Sequence, residues 1–147
     1  MTYSNIGKAQ LYGFDLRAIL LVSNNIEFDN RISYTRATFD DLNENMPFIS
    51  PLNGISKIHF LWKNSSFITT LEWSTAQRNI AKTLSVEDET NAFQLVHSEL
   101  LWSFPKLKTK LSIEVQNIFD AYVIRHTSIG NLPDRGRTFA LSIQVNL

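Results

Sequence analysis

Between residues 10 and 22 the even positions Tyr12, Phe14, Leu16, Ala18, Leu20 and Val22 are all apolar, while the odd set includes Asp15 and Arg17. A repeat of two residues predicts a strand with one apolar and one polar face. Residues 26–39 repeat it, with Phe28, Ile32 and Tyr34 opposite Glu27, Asp29, Arg31, Ser33 and Thr35. A third strand is predicted over 55–63 (Ile58, Phe60 and Trp62 against Lys57 and His59) and a fourth over 67–77 (Phe67, Leu71 and Trp73 against Ile68, Thr70, Glu72 and Ser74). Residues 93–104 set Val96, Leu100, Trp102 and Phe104 against His97 and Glu99, with Leu95 and Leu101 breaking the alternation. The sixth strand places Leu111, Ile113 and Val115 opposite Ser112, Glu114 and Gln116. In the seventh, Phe139, Leu141, Ile143, Val145 and Leu147 alternate with Ala140, Ser142, Gln144 and Asn146.

The charged residues Asp15, Arg17, Glu27, Asp29, Arg31, Lys57, Glu72, Glu99 and Glu114 lie inside these strands, all on the polar face. A one-residue slip would carry a strand's charges to the other side, so the pattern predicts a sheet with one dry face. Connections alternate as well. Residues 23–25, 63–66 and 105–108 make tight turns, and 40–54, 78–91 and 127–136 make long polar loops. Long strands joined by short turns at one end and long loops at the other are the plan of an outer-membrane barrel. Phe28, Trp62, Phe67, Trp102 and Phe104 cluster near the short turns, and Tyr12, Tyr34, Trp73, Phe119, Tyr122 and Phe139 toward the long loops. Two such belts are expected where hydrocarbon meets headgroups.

The chain has 147 residues, the size of one domain. Apolar residues make up 44% and charged residues 19%, which excludes a disordered chain. Fourteen basic residues balance fourteen acidic ones, so no net field draws nucleic acid or an anionic surface. Without cysteine there is no disulfide framework or thiolate nucleophile, and His59, His97 and His126 lack the spacing of a helical metal site. The opening MTYSNIGKAQ lacks the basic and apolar regions of an export signal. The longest aliphatic run, residues 18–22, is far short of the roughly 20 residues of a spanning helix. Any membrane crossing must be made by strands.

The C-terminal third is more specific. VQNIFDAY over residues 115–122, then His126, Ser128 and Pro133, GRTF over 136–139 and the closing alternation resemble the end of TonB-dependent outer-membrane receptors. Members typically end in V-x-N-L-F-D-x-x-Y, a loop, G-R-x-F and a last strand of alternating apolar residues. Upstream, AQLYGFDL over 9–16 is similar to the family's A-x-x-Y-G-x-E segment, with Asp15 for the usual Glu, and FISPLNG over 48–54 to its P-x-x-P-L-x-G loop. The resemblance implies an all-β, antiparallel up-and-down meander of about seven long strands within a larger transmembrane β-barrel, one of about 22 strands in that family. The signal peptide, globular plug and earlier strands of such receptors have no counterpart here, so residues 1–147 are expected to be the C-terminal barrel portion.

What the resemblance implies about function is uptake of a metal chelate such as a ferric siderophore, through a barrel not competent alone. Its partners would be outer-membrane lipid, the barrel-assembly machinery, and the plug and remaining strands, without nucleic acid and without a cofactor. The motif residues Tyr12, Gly13, Asn117, Phe119, Asp120, Tyr122, Gly136, Arg137 and Phe139 are expected to be structural, Asn and Asp bonding local backbone and the rings anchoring the interface. Leu141, Ile143, Val145 and Leu147 form a terminal assembly strand, although the family usually ends on an aromatic. His59, His97, His126 and the triplet Glu87, Asp88 and Glu89 are read as solvated rather than as ligands. Glu72, Glu99 and Glu114 share the polar face with no cleft to make an acid–base pair, so no catalytic or metal site is assigned. The alternative is a soluble antiparallel barrel of lipocalin type, its apolar face turned inward around a small hydrophobic ligand.

Overall fold

The computed structural model describes residues 7–83 and 87–146. Among the described residues eight strands are formed: β1 (Ala9–Ser23), β2 (Ile26–Phe39), β3 (Glu44–Asn45), β4 (Asn53–Trp62), β5 (Ser65–Ser74), β6 (Phe93–Phe104), β7 (Thr109–Gln116) and β8 (Thr138–Val145). The sheet runs β1-β2-β4-β5-β6-β7-β8, each strand antiparallel to the next, and the two-residue β3 folds back on the end of β2. All seven expected strands are present. The addition is β3, which alternation cannot signal in two residues. Leu147, the last position of the expected ridge, lies outside the described residues.

Register carries the sequence pattern across the whole sheet. Ile26 stands opposite Phe60, Phe60 opposite Phe67, Phe67 opposite Leu100, Leu100 opposite Ile113, and Ile113 opposite Leu141. One apolar row therefore crosses six strands, each pair close enough for cross-strand contact. The rings of Phe60 and Phe67 lie 6.3 Å apart along it, and those of Trp102 and Phe104 stack at 5.4 Å nearby. Gly54 sits between Ile32 and Trp73, where a Cβ would come within 2.7 Å of the Trp73 ring; the missing side chain admits the indole. On the other face Arg17 pairs with Arg31, Asp29 with Lys57, Glu27 with His59 and Glu99 with Glu114. The nine charges predicted for the polar face share it, with Lys110, while Arg36 stands opposite Tyr12 on the apolar face near the loop end of β2. Leu95 and Leu101 also lie on the polar face, opposite Glu72 and Ser112.

Apart from the long loops at one end, a single layer of sheet has nothing packed on either face, and burial shows the consequence. Among the described residues the buried apolar side chains are Ala37, Ala81, Leu95 and Val123. All lie in the long loops or the strand ends beside them. Trp62 is 74% exposed and Leu141 68%. The accessible surface is 10789 Å², against roughly 7,700 Å² for a compact monomer of this mass. The soluble closed barrel is corrected here: it would require β1 to pair with β8, and the sheet order leaves these two at opposite edges.

Candidate functional site: the loop canopy and the charged wall

The three long connections, residues 40–52, 75–92 and 117–137, emerge from one end of the sheet because each follows an even hairpin reversal. They are knitted together by side chains that accept backbone N–H groups or donate to backbone carbonyls. Glu44 accepts the amides of Lys82 and Thr83, each at 2.5 Å, and the Thr83 hydroxyl. Asn45 Nδ2 donates to the Ile80 carbonyl at 3.0 Å, and Gln77 Nε2 to the Ile49 carbonyl at 2.8 Å. The middle loop is thereby fastened to the first.

Glu87 joins all three. Its Oε1 accepts the Phe48 amide of the first loop at 2.7 Å, and its Oε2 the Ala81 amide of the middle loop at 2.7 Å. His126 Nε2 of the third loop stands 2.6 Å from Oε1, off the line of a straight N–H···O bond, so this contact acts as an ion pair when the ring is protonated. Both side chains are enclosed, at 3% and 1% exposure. His126 Nδ1 is 3.3 Å from the Thr90 hydroxyl, which closes the junction. Glu87 and His126 therefore overturn the solvated reading of the acidic triplet and of that histidine. Asp88 and Glu89 remain exposed, engaged by Asn131 and Arg78 respectively. A buried carboxylate is tolerated here because two amides and an imidazole face it.

The neighbouring residue, Arg125, points the other way, to the charged wall of the sheet. Its guanidinium grips both Glu72 oxygens on β5, Nη2 to Oε2 at 3.0 Å, and its Nε donates to Asp134 at 2.6 Å. It also lies 5.3 Å over the Phe93 ring. Hydrogen bonding to Glu72, against an opposing effect of burial, raises the Arg125 pKa above its ordinary value. His97 completes the cluster, its Nε2 3.8 Å from Glu72 and its Nδ1 accepting the Asn117 amide at 3.2 Å. Farther along the wall Arg17 makes two bonds to Asp29 at 3.0 and 2.9 Å, while Arg31 reaches Asp15 at 3.4 Å. Glu99 and Glu114 face each other and are bonded by Ser112 and Gln116.

The motif residues fall in two places. Asn117 is buried in left-handed backbone, φ 51°, exchanging bonds with both the N–H and C=O of Ala121 at 2.9 Å. Asp120, φ 54°, accepts the Arg137 amide at 2.7 Å, and a Cβ on Gly136 would meet Asp120 Oδ1 at 2.8 Å. Asn117, Asp120, Gly136 and Arg137 thus make one knot where β7 leaves and β8 begins. Phe119 and Tyr122 project from it at 76% and 78% exposure. Phe139, Leu141, Ile143 and Val145 lie opposite Val115, Ile113, Leu111 and Thr109. Tyr12 and Gly13 are far away, on the opposite edge strand. Sequence reasoning missed Glu44, Glu87, Arg125 and His126 as loop fasteners. The available signal was an Arg–His pair in one loop and an acidic triplet in another, with nothing to pair them.

Among the described residues no group of three or more His, Cys, Asp or Glu is arranged to hold a metal, and no helix is long and apolar enough to cross a membrane. No family model and no curated protein matches the chain. Solved structures do. The copper transporter OprC superposes over 92% of this chain with a TM-score of 0.85 at 20% identity, and the match covers 23% of that protein. The ferric yersiniabactin uptake receptor FyuA from Yersinia pestis superposes over 97% with a TM-score of 0.75 at 17% identity, covering 24% of its length. The chain thus spans about a quarter of either one. At these identities the likeness is one of fold, and it bears out the all-β barrel-segment architecture that the C-terminal motifs implied.

Proposed function

We propose that residues 1–147 are the C-terminal wall of a TonB-dependent outer-membrane receptor barrel, working in uptake of a metal chelate such as a ferric siderophore. The observation that carries this reading is the register: one apolar face running across the strands, the mid-strand charges on the other, and a fastened loop canopy at a single end. Lipid would cover the apolar face and the charged wall would line a lumen. The plug and further strands would complete β1 and β8, whose outer edges are unpaired among the described residues. The terminal ridge at Leu141, Ile143, Val145 and Leu147 would engage the assembly machinery. In this arrangement Arg125 and His126 link the lumen wall to the canopy, so the loops over the mouth are held in a set position before a chelate arrives, which lowers the ordering cost of binding.

The test uses the absence of cysteine. Asp88→Cys, at the exposed canopy, is labelled with a membrane-impermeant maleimide in intact cells of a Gram-negative host expressing the chain behind an export signal and joined to the plug and remaining strands of a receptor barrel. Labelling in intact cells, with the protein in the outer-membrane fraction, is the expected result. Labelling only after lysis, with the protein absent from the outer-membrane fraction, would overturn it.

A further inference from the structure

The balanced charge of the whole chain hides a separation along the strand axis. The three long loops, residues 40–52, 75–92 and 117–137, carry eight acidic and five basic residues. At the other end, the short turns and adjoining strand ends carry Lys63, Lys106, Lys108 and Lys110, and there is no acidic residue from 58 to 71 or from 100 to 113. All four lysines are exposed, and none has an acidic partner within 4.0 Å among the described residues.

Two of these lysines occupy backbone that disfavours them. Lys63 and Lys108 have φ of 48° and 47°, the left-handed region that asparagine enters more readily. Of the five other non-glycine residues in that region, four are Asn or Asp: Asn43, Asn117, Asp120 and Asn131. Both exceptions at the short-turn end are lysine, so two of the three tight turns hold a cation where a neutral turn former would fit better. The rim is also ordered. The turns are stitched by Leu61 N–H to the Asn25 carbonyl at 2.8 Å, Ser103 N–H to Asn64 at 2.7 Å and Asn146 N–H to Lys108 at 2.9 Å. Beside the lysines, on the apolar face, stand the exposed indoles of Trp62 and Trp102.

Resting on the barrel reading above, we propose that the turn lysines of this rim, Lys63, Lys106 and Lys108, are an interaction surface for anionic phospholipid, their ammonium groups meeting headgroup phosphates of the short-turn leaflet while Trp62 and Trp102 enter the interface below them. Lys110 shares the charged-wall face of β7 with Ser112 and Glu114 and takes no part. Charge complementarity argues for that occupant: a row of unpaired cations flanked by interfacial aromatics fits a plane of anionic headgroups. The acid-rich canopy at the other end sets the contrast that orients the chain.

The test carries the chain as the C-terminal wall of a complete receptor barrel and compares it with the variant Lys63→Asn, Lys106→Gln and Lys108→Asn, in which the two asparagines suit the left-handed turns. Binding from urea is titrated on vesicles of phosphatidylcholine alone or with added phosphatidylglycerol, at low and high salt. The chain is expected to bind the anionic vesicles at least about tenfold more tightly, salt removing the preference, and the variant to lose it while still inserting into phosphatidylcholine. Arg78→Gln with Lys82→Gln, at the loop end, should retain the preference. Insertion without any anionic preference, or a preference surviving in the lysine variant, overturns the rim alone. Failure of the barrel carrying the unaltered chain to enter either vesicle overturns the barrel reading and the rim with it.

Discussion

Two adjacent positions in β7 separate the two faces most sharply. Ile113 lies in the apolar row between Leu100 and Leu141, and Ser112 beside it faces the charged wall, its hydroxyl donating to Glu99 at 2.9 Å. Arginine at Ile113 places a guanidinium in hydrocarbon near mid-strand, which costs about 2–4 kcal/mol. Removing a half-buried isoleucine adds roughly 1 kcal/mol. Arginine at Ser112 loses one hydrogen bond, about 1 kcal/mol, but enters between Glu99 and Glu114 and recovers up to about 1 kcal/mol. The difference is roughly 3 kcal/mol or more, over a hundredfold in the insertion equilibrium. Refolding each variant, carried in a complete receptor barrel, from urea into phosphatidylcholine vesicles and measuring the protease-protected fraction reads this directly. Variants within threefold of one another, or Ser112→Arg as the worse, would refute the assignment of faces.

Four further outcomes are expected. Glu87→Ala leaves the Phe48 and Ala81 amides without their acceptor and should raise hydrogen exchange at both, although they belong to different loops; a rise confined to Ala81 would show that the loops are independent. Arg125→Lys cannot grip both oxygens of Glu72 while reaching Asp134 and should loosen residues 117–137 in the same assay, where unchanged protection would argue against the tie. A basic group whose pKa is raised on folding contributes fully below its unfolded value and loses that contribution only as pH passes the folded one. The Arg125 tie should therefore not be released by arginine deprotonation from neutral pH to roughly pH 11, and loss of loop protection in step with arginine titration in that window would contradict it. Gly54→Ala presses a methyl group against Trp73 and the Arg31 carbonyl, at 2.7 and 2.8 Å, and should lower stability by about 1–3 kcal/mol in denaturant titration, with a neutral result removing that packing account.

Strand identity and facing were legible from alternation because β-structure has a period of two and a membrane or core demands one apolar face. Tyr12 to Val22 and Phe139 to Val145 needed no tertiary information to be read as strands, nor did the placing of Asp29, Lys57 and Glu114 on a common face. The last segments also carried their family likeness in the knot residues Asn117, Asp120 and Gly136, whose local bonds span few residues or one loop. What only tertiary structure decided lies in the long loops. Glu87 meets Phe48 across 39 positions and His126 across a further 39, and Arg125 meets Glu72 across 53. Loops have no repeat to fix which side chains converge, so a carboxylate that composition marks as solvated becomes enclosed once three hairpins bring their ends together. The same closure sorted a neutral set of charges into a lysine-bearing rim and an acid-rich canopy, because hairpin reversal sends alternate connections to opposite ends of the sheet.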